Sequence, residues 1–328
     1  MDIVSTFHNY FNKDRAIGHD FNLFKYSDLL FLGEDKEGNV SIVCVSNKPN
    51  RSQLRQRTKQ ISIECNMKVQ YLVNGEIDKN TVHIVRCFTS IEREKDIFIE
   101  LTPLFDEASR QEDQEAALLE IVSTLTSFFA NKSEPSDSEL QGLYAELTTI
   151  QQYQQSLNLS DYWQSRDRMK FDFSISDEIK IEVKSTIKNE RKHHFKHEQL
   201  AYETYDIYVI SYMLRHDDAG ESLFDLIEVT KPMIKSDPRK LLILERYLKN
   251  TSELRLQQFR FNRQITNSKR NIYRAEDIPR FIETAPTGIT NAEYDCNLTG
   301  IIPLEETAFI NQIQRVQNQK KDEVRTDE

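Results

Sequence analysis

The chain has 328 residues, 38% hydrophobic and 29% charged, with four cysteines, one tryptophan and a formal net charge of −10. That length can bury a sizeable core in two or three structural units. No window approaches the 18 apolar residues of a membrane span, and the acidity argues against tight, non-specific binding of nucleic acid. Met1-Asp-Ile-Val-Ser5 lacks the charged start and apolar run of a signal peptide, so a cytoplasmic location is expected. Cys44, Cys65, Cys87 and Cys296 form no C-x-x-C pair and read as buried thiols in a reducing compartment. The charge is uneven. Asp106 to Ser160 holds ten acidic and two basic residues, leaving only −2 for the rest of the chain.

Taken in chain order, a short helix opens a strand-rich domain over 1–105. Leu29 to Gly33 and Val40 to Val45 flank a turn over Glu34 to Asn39, a hairpin pattern. Ile61 to Cys65, Lys68 to Val73, Thr81 to Arg86 and Asp96 to Leu101 read as further strands. An acidic helical connector follows over 106–137, with an apolar periodic helix from Gln114 to Ala130 and a polar, linker-like stretch from Asn131 to Ser138. A third part, 138–300, carries the chemistry, its central elements lying between about 138 and 230. Its first helix shows apolar residues at Leu140, Leu143, Leu147 and Ile150. Glu146 lies about 90° from the centre of that stripe, at 100° per residue, so it borders the buried face or stands as a solvated carboxylate. Gly142, one turn earlier, would permit close approach of a strand or a nucleic-acid backbone. Tyr205 to Tyr212 reads as a buried strand, and Leu223 to Val229 as the start of a helix. A C-terminal segment, 301–328, ends in a polar tail expected to be disordered from about 317.

The most informative stretch is Phe171 to Lys184. In Ile179-Lys-Ile-Glu-Val-Lys184 side chains alternate, so Ile179, Ile181 and Val183 face a core while Lys180, Glu182 and Lys184 share the other side. A turn centred near Asp177 sets Asp172 opposite Glu182. Two carboxylates and an ammonium on one side of a sheet can hold a divalent metal and activate a water. The same pattern also suits ordinary cross-strand charge pairs.

Four stretches in order carry a family resemblance: Gly142-Leu-Tyr-Ala-Glu-Leu147, Trp163 with Asp172 nine residues on, Glu182-Val-Lys-Ser185, and Glu198-Gln-Leu200 opening a helix. Ile278-Pro-Arg280, Gly288-Ile289 and Tyr294 extend it. The set resembles the PD-(D/E)XK nuclease superfamily, and in particular the bacterial PD-(D/E)XK motif proteins found beside restriction-modification and phage-defence genes. Phe171 stands where the motif's proline would be, and Gln199 followed by Tyr202 and Glu203 does not match the Q-x-x-x-Y of several relatives. The resemblance implies an α/β restriction-endonuclease-like core with a mixed sheet flanked by helices. It also implies Mg²⁺ (or Mn²⁺) on Asp172 and Glu182, with Glu146 as an accessory ligand or lysine partner. Lys184 would orient the water or stabilise phosphate charge, and Gln199 would play a supporting part.

Two basic tracts are candidates for DNA contact. Lys188, Arg191, Lys192 and Lys196 follow the motif strand, and Arg260, Arg263, Lys269 and Arg270 interleave with Phe259, Phe261 and Tyr273. The second tract also reads as a solvated strand face with a core-facing aromatic side. Arg51, Arg55, Arg57 and Lys59 make a weaker patch. A zinc reading of His194 and His197 has no neighbouring ligand cluster to support it. There is no G-x-x-x-x-G-K-[ST] loop and no G-x-S-x-G elbow, so any ATP hydrolysis would come from another subunit. The expected function is a metal-dependent DNA endonuclease in restriction or phage defence, with the N-terminal domain recognising DNA or a partner. A non-cutting DNA-binding or scaffolding subunit is the alternative. Expected partners are DNA and an ATPase or methyltransferase subunit, with no membrane and a homodimer left open.

Overall fold

The computed structural model describes residues 3–11, 20–73, 76–130, 133–164, 171–200, 204–234, 237–281 and 292–326. The chain divides into two compact units, Met1–Ser133 and Glu134–Glu328. Among the described residues no helix is long and apolar enough to cross a membrane.

The first unit runs α1 (Ile3–Phe11), β1 (Phe21–Lys25), β2 (Leu30–Asp35), β3 (Val40–Val45), β4 (Leu54–Arg57), β5 (Ile61–Val73), β6 (Glu76–Cys87), α2 (Glu92–Glu100), α3 (Thr102–Ser109) and α4 (Gln114–Ala130). The sheet order is β1-β2-β3-β6-β5-β4, and β1 also pairs in parallel with the end of β5, closing five strands into a ring. Phe21, Leu23, Phe31, Val43, Tyr71, Val82 and Ile84 form its apolar core. Closure depends on Gly33, where an added Cβ would lie 2.0 Å from the Asn22 carbonyl oxygen.

Several expectations change here. The two strands expected over 61–73 are one, bent by a bulge at Asn66, whose φ of 56° an asparagine tolerates. Asp96 to Leu101 is not a strand: it lies in α2 and the turn after it, and Ile97, Phe98, Ile99 and Leu101 are all buried. A short apolar run fits either period, and packing chose the helix. The acidic connector is not separate either. In α4, Leu118, Val122, Leu125 and Phe129 are buried, and Gln114 bonds His83 and the Val45 carbonyl of the same unit.

The second unit runs α5 (Asp137–Leu157), β7 (Phe173–Ser174), β8 (Ile179–Thr186), β9 (Lys192–Lys196), β10 (Asp206–Met213), β11 (His216–Ser222), α6 (Leu223–Ile234), α7 (Pro238–Asn250), α8 (Glu253–Gln258), β12 (Arg260–Phe261), α9 (Arg263–Ser268), β13 (Asn271–Arg274), β14 (Glu293–Asn297) and α10 (Glu306–Thr326). Helix α5 starts in a capping box, with Ser136 and Glu139 bonding each other's backbone N–H, and it ends on Asn158 in the left-handed region.

The central sheet, β13-β10-β8-β7, is mixed: β8 and β10 are parallel, and the outer pairs are antiparallel. It is buried on both faces. Ile179, Ile181, Val183, Tyr208, Ile210 and Tyr212 join the core built with α5, α6 and α10. Ile207 and Val209 point the other way, into a cluster with Phe195, Leu200, Tyr273 and Cys296. The expected helices therefore cover one face, while a β9-β14 ribbon covers the other.

Two further differences concern the ends of motifs. Glu198 to Leu200 opens no long helix among the described residues, only a 3₁₀ turn over His197–Gln199. The chain past 317 is helical to Thr326, because Phe309 and Ile313 are buried and Gln314 and Gln317 donate to the Ser156 and Leu157 carbonyls. Gly288-Ile289, Tyr202, Glu203 and part of the Asn131–Ser138 stretch lie outside the described residues.

Candidate active site

The hairpin register follows the sequence reading. Phe173 pairs with Ile181 and Ser174 with Lys180, which sets Asp172, at the mouth of β7, across from Glu182. The turn is clamped from inside: the buried Lys180 ammonium donates to Ser174 Oγ and the Ser176 carbonyl, each at 2.6 Å, and lies 4.9 Å from the Tyr205 ring centroid. Lys180 shares a face with Glu182 and Lys184, yet its role is structural.

Glu182 is 4% exposed. Its Oε1 accepts from Lys184 Nζ at 2.7 Å and from Gln199 Nε2 at 2.6 Å, while no donor among the described residues reaches the buried Oε2. Gln199 holds both charges, since its Oε1 accepts from Lys184 Nζ at 3.2 Å and from the Lys196 N–H at 3.0 Å. The Lys184 ammonium also stands 5.2 Å from the Phe195 ring centroid. Asp172 Oδ2 accepts from the Val183 N–H at 2.7 Å, which locks it onto β8.

Glu146, on α5, faces the same place. Its Oε2 accepts from Trp163 Nε1 at 2.7 Å and Gln164 Nε2 at 3.2 Å. That cradle was not evident in the sequence. Trp163 was visible only as a landmark, and an indole that has only an N–H to donate needs an acceptor once buried. Gly142 does not serve close strand approach, because a Cβ there would meet nothing within 4 Å.

Burial pushes the Glu182 carboxyl up to about 8, with the Asp172 charge adding and the Lys184 ammonium opposing. Burial likewise raises Asp172 against its Val183 hydrogen bond and Lys184. It raises Glu146 too, with Asp172 adding and the Trp163 and Gln164 hydrogen bonds opposing. Mutually repelling, desolvated carboxylates are stabilised by a divalent cation, and the orphaned Glu182 oxygen offers a hard donor to one. The donor set fits Mg²⁺ or Mn²⁺ in the form of one or two protein carboxylates completed by water and substrate oxygens. Among the described residues no group of three or more His, Cys, Asp or Glu converges on one point. Asp172 and Glu182 are the facing carboxylates that could take such an ion, while Glu146 has its Oε2 engaged by the Trp163 indole and the Gln164 amide.

A family model described as "Putative PD-(D/E)XK family member, (DUF4420)" matches residues 25–299. The chain belongs to this family. No curated protein and no solved structure matches the chain. The PD-(D/E)XK match takes in most of both units, including strands β2 to β6 of the first. Phe171, in the motif's proline position, is buried edge-to-face against Tyr205.

The expected DNA-binding residues divide sharply. On β9, alternate residues point out: Lys192 and Lys196 are exposed, as is Lys188 before them. Lys192 pairs with Asp295 at 2.9 Å. Arg191 points in, 5% exposed, and donates to the Ser211 and Lys269 carbonyls at 2.7 and 2.6 Å. In the second tract only Lys269 is exposed. Arg260 donates to the Gly220 carbonyl, Arg263 pairs with Glu221 at 2.6 Å, and Arg270 pairs with Glu306 at 2.5 Å. Phe261 and Tyr273 are core residues. The zinc reading has no geometry, since His194 bonds Glu293 and Asp295 while His197 Nδ1 lies 3.5 Å from the Tyr294 hydroxyl.

Proposed function

We propose that this chain is a metal-dependent endonuclease that hydrolyses phosphodiester bonds in DNA through a restriction-endonuclease-like core. The observation that carries the reading is the buried Glu182–Lys184–Gln199 contact with Asp172 set opposite it. Asp172 and Glu182 would hold Mg²⁺, with Mn²⁺ as a substitute. Once bound, the ion supplies a Lewis acid and lowers the pKa of its water. The protein's own groups do the rest. Gln199 holds the Glu182 carboxylate and the Lys184 ammonium in one geometry, so little reorganisation is needed when charge develops. Lys184 places a cation where the attacking water and the phosphate oxygens would gather, and Phe195 lies beside it. Glu146, fixed by Trp163, adds negative charge that favours a cation in the site. The exposed Lys188, Lys196 and Lys269, with Lys192 beside its Asp295 partner, are the cations that would follow a phosphate backbone.

A role in restriction or phage defence beside an ATPase or methyltransferase subunit, in the cytoplasm, belongs to the same proposal. The test is nicking of supercoiled DNA, modified and unmodified, by the purified chain with Mg²⁺. Cleavage should vanish in Glu182→Ala and Lys184→Ala. Retained cleavage in those variants would sink the site assignment, and a wild type that never cuts would leave a DNA-binding scaffold.

A further inference from the structure

Inside the N-terminal ring the lining changes character along the strands. Val82 and Ile84 of β6 belong to the apolar core, but Arg86, two residues on, keeps the same face. Ser62 pairs with Arg86 and Glu64 with Ile84, while Asp35 pairs with Phe21 across β1 and β2. These residues line an open mouth with a cavity of about 770 Å³. Small-ligand sites span roughly 300–1,000 Å³ and favour the mouths of barrels.

Ser62 is 4% exposed, and no partner among the described residues reaches its Oγ. Leaving such a group dry costs about 1–3 kcal/mol, which a hydrogen-bonding group reaching it from the cavity would recover. The Arg86 guanidinium stands 3.4 Å from Asp35 and 3.3 Å from Glu64, longer than the roughly 2.7–2.9 Å of a tight charge-assisted bond. Each of two arginines lies over a ring, Arg86 at 5.0 Å from the Phe21 centroid and Arg57 at 4.4 Å from the Phe88 centroid. On the edge strand, the exposed Arg55 and Arg57 pair with Glu64 and Ser62 and so share their face.

The mouth thus mixes donors and acceptors with guanidinium groups laid over aromatic rings, and has cations on its rim. The carboxylates disfavour a bare anion, and the arginines disfavour a bare cation. A planar heterocycle with donors and acceptors on its edge, joined to a phosphate, suits both zones. We propose that this mouth is a second binding site that takes one nucleotide, its base beside Ser62, Arg86 and Phe21 and its phosphate on Arg55 and Arg57. A free mononucleotide and a nucleotide extruded from a strand offer the same chemistry.

The full-length chain is assayed in EDTA, so binding is read without cleavage and failure of the nuclease reading leaves the result standing. Calorimetry with the four deoxynucleoside monophosphates tests the free ligand. Anisotropy with a duplex carrying one unpaired base, against its fully paired counterpart, tests the extruded one. Monophosphate binding, or a preference of at least tenfold for the unpaired base, should fall about tenfold in Ser62→Ala and in Arg57→Ala, with unfolding midpoints held or raised in Ser62→Ala. Monophosphate binding identifies the free source, and preference for the unpaired base alone identifies the extruded one. Absence of both in the wild type, or their persistence in both variants, overturns the proposal.

Discussion

Replacing Glu182 by glutamine keeps the side chain's shape and removes its titration, which isolates the electrostatics of the site. Burial raises the Glu182 carboxyl from 4.5 to about 8. The unfolded chain therefore loses this proton first, and over that interval the folded state binds more protons than the unfolded one. Stability is fully present at low pH and is lost as pH rises through the interval. At about 1.36 kcal/mol per pKa unit, the loss has a ceiling near 5 kcal/mol, reduced to about 2–3 kcal/mol by water entry and side-chain relaxation. Asp172 and Glu146 are raised as well and act with the same sign. Urea unfolding in EDTA at pH 5, 6.5 and 8 measures this. Trp163, the only tryptophan, lies in the second unit, so its fluorescence follows the relevant transition. The wild type should weaken toward pH 8, and Glu182→Gln should flatten the slope. Mg²⁺ at a hundredfold excess over its dissociation constant should return about 2.7 kcal/mol at pH 8 to the wild type alone. A wild-type midpoint that is level or rises between pH 5 and 8 would refute the reasoning, as would a variant that keeps the full slope.

Further outcomes follow from individual contacts. Trp163→Phe removes the indole N–H from Glu146 and should cost about 1–3 kcal/mol, read by circular dichroism melting. Arg191→Met strips donors from the Ser211 and Lys269 carbonyls and should destabilise the second unit by about 2–4 kcal/mol in chemical denaturation. Lys188→Ala and Lys196→Ala should leave stability unchanged, weaken DNA binding at every sequence and lower the salt slope by about 1 each. Gly33→Ala forces a Cβ against the Asn22 carbonyl and should cost about 3 kcal/mol or more in the first unit, seen as an early unfolding step.

The sequence by itself determined the core of the candidate site. A strand's alternation and a turn centred near Asp177 were enough to set Asp172 opposite Glu182, because pairing across a hairpin is symmetric about its turn. Helices α4 and α5 were legible for the same kind of reason, their apolar spacing being local. What lay beyond reach depended on elements distant in the chain. Lys180 and Glu182 look like one solvated face in the sequence, but both are buried, Lys180 against Ser174, Ser176 and Tyr205 and Glu182 against Gln199. Arg191 and Lys192 are neighbours in one basic tract, and only the packing of β9 decided that one is internal and the other exposed. The run after Asp96 suited either period until the N-terminal core claimed it as helix. Local pattern fixes which residues share a face. Tertiary packing decides what covers that face, and so which charges are buried carboxylates, internal clamps or exposed cations.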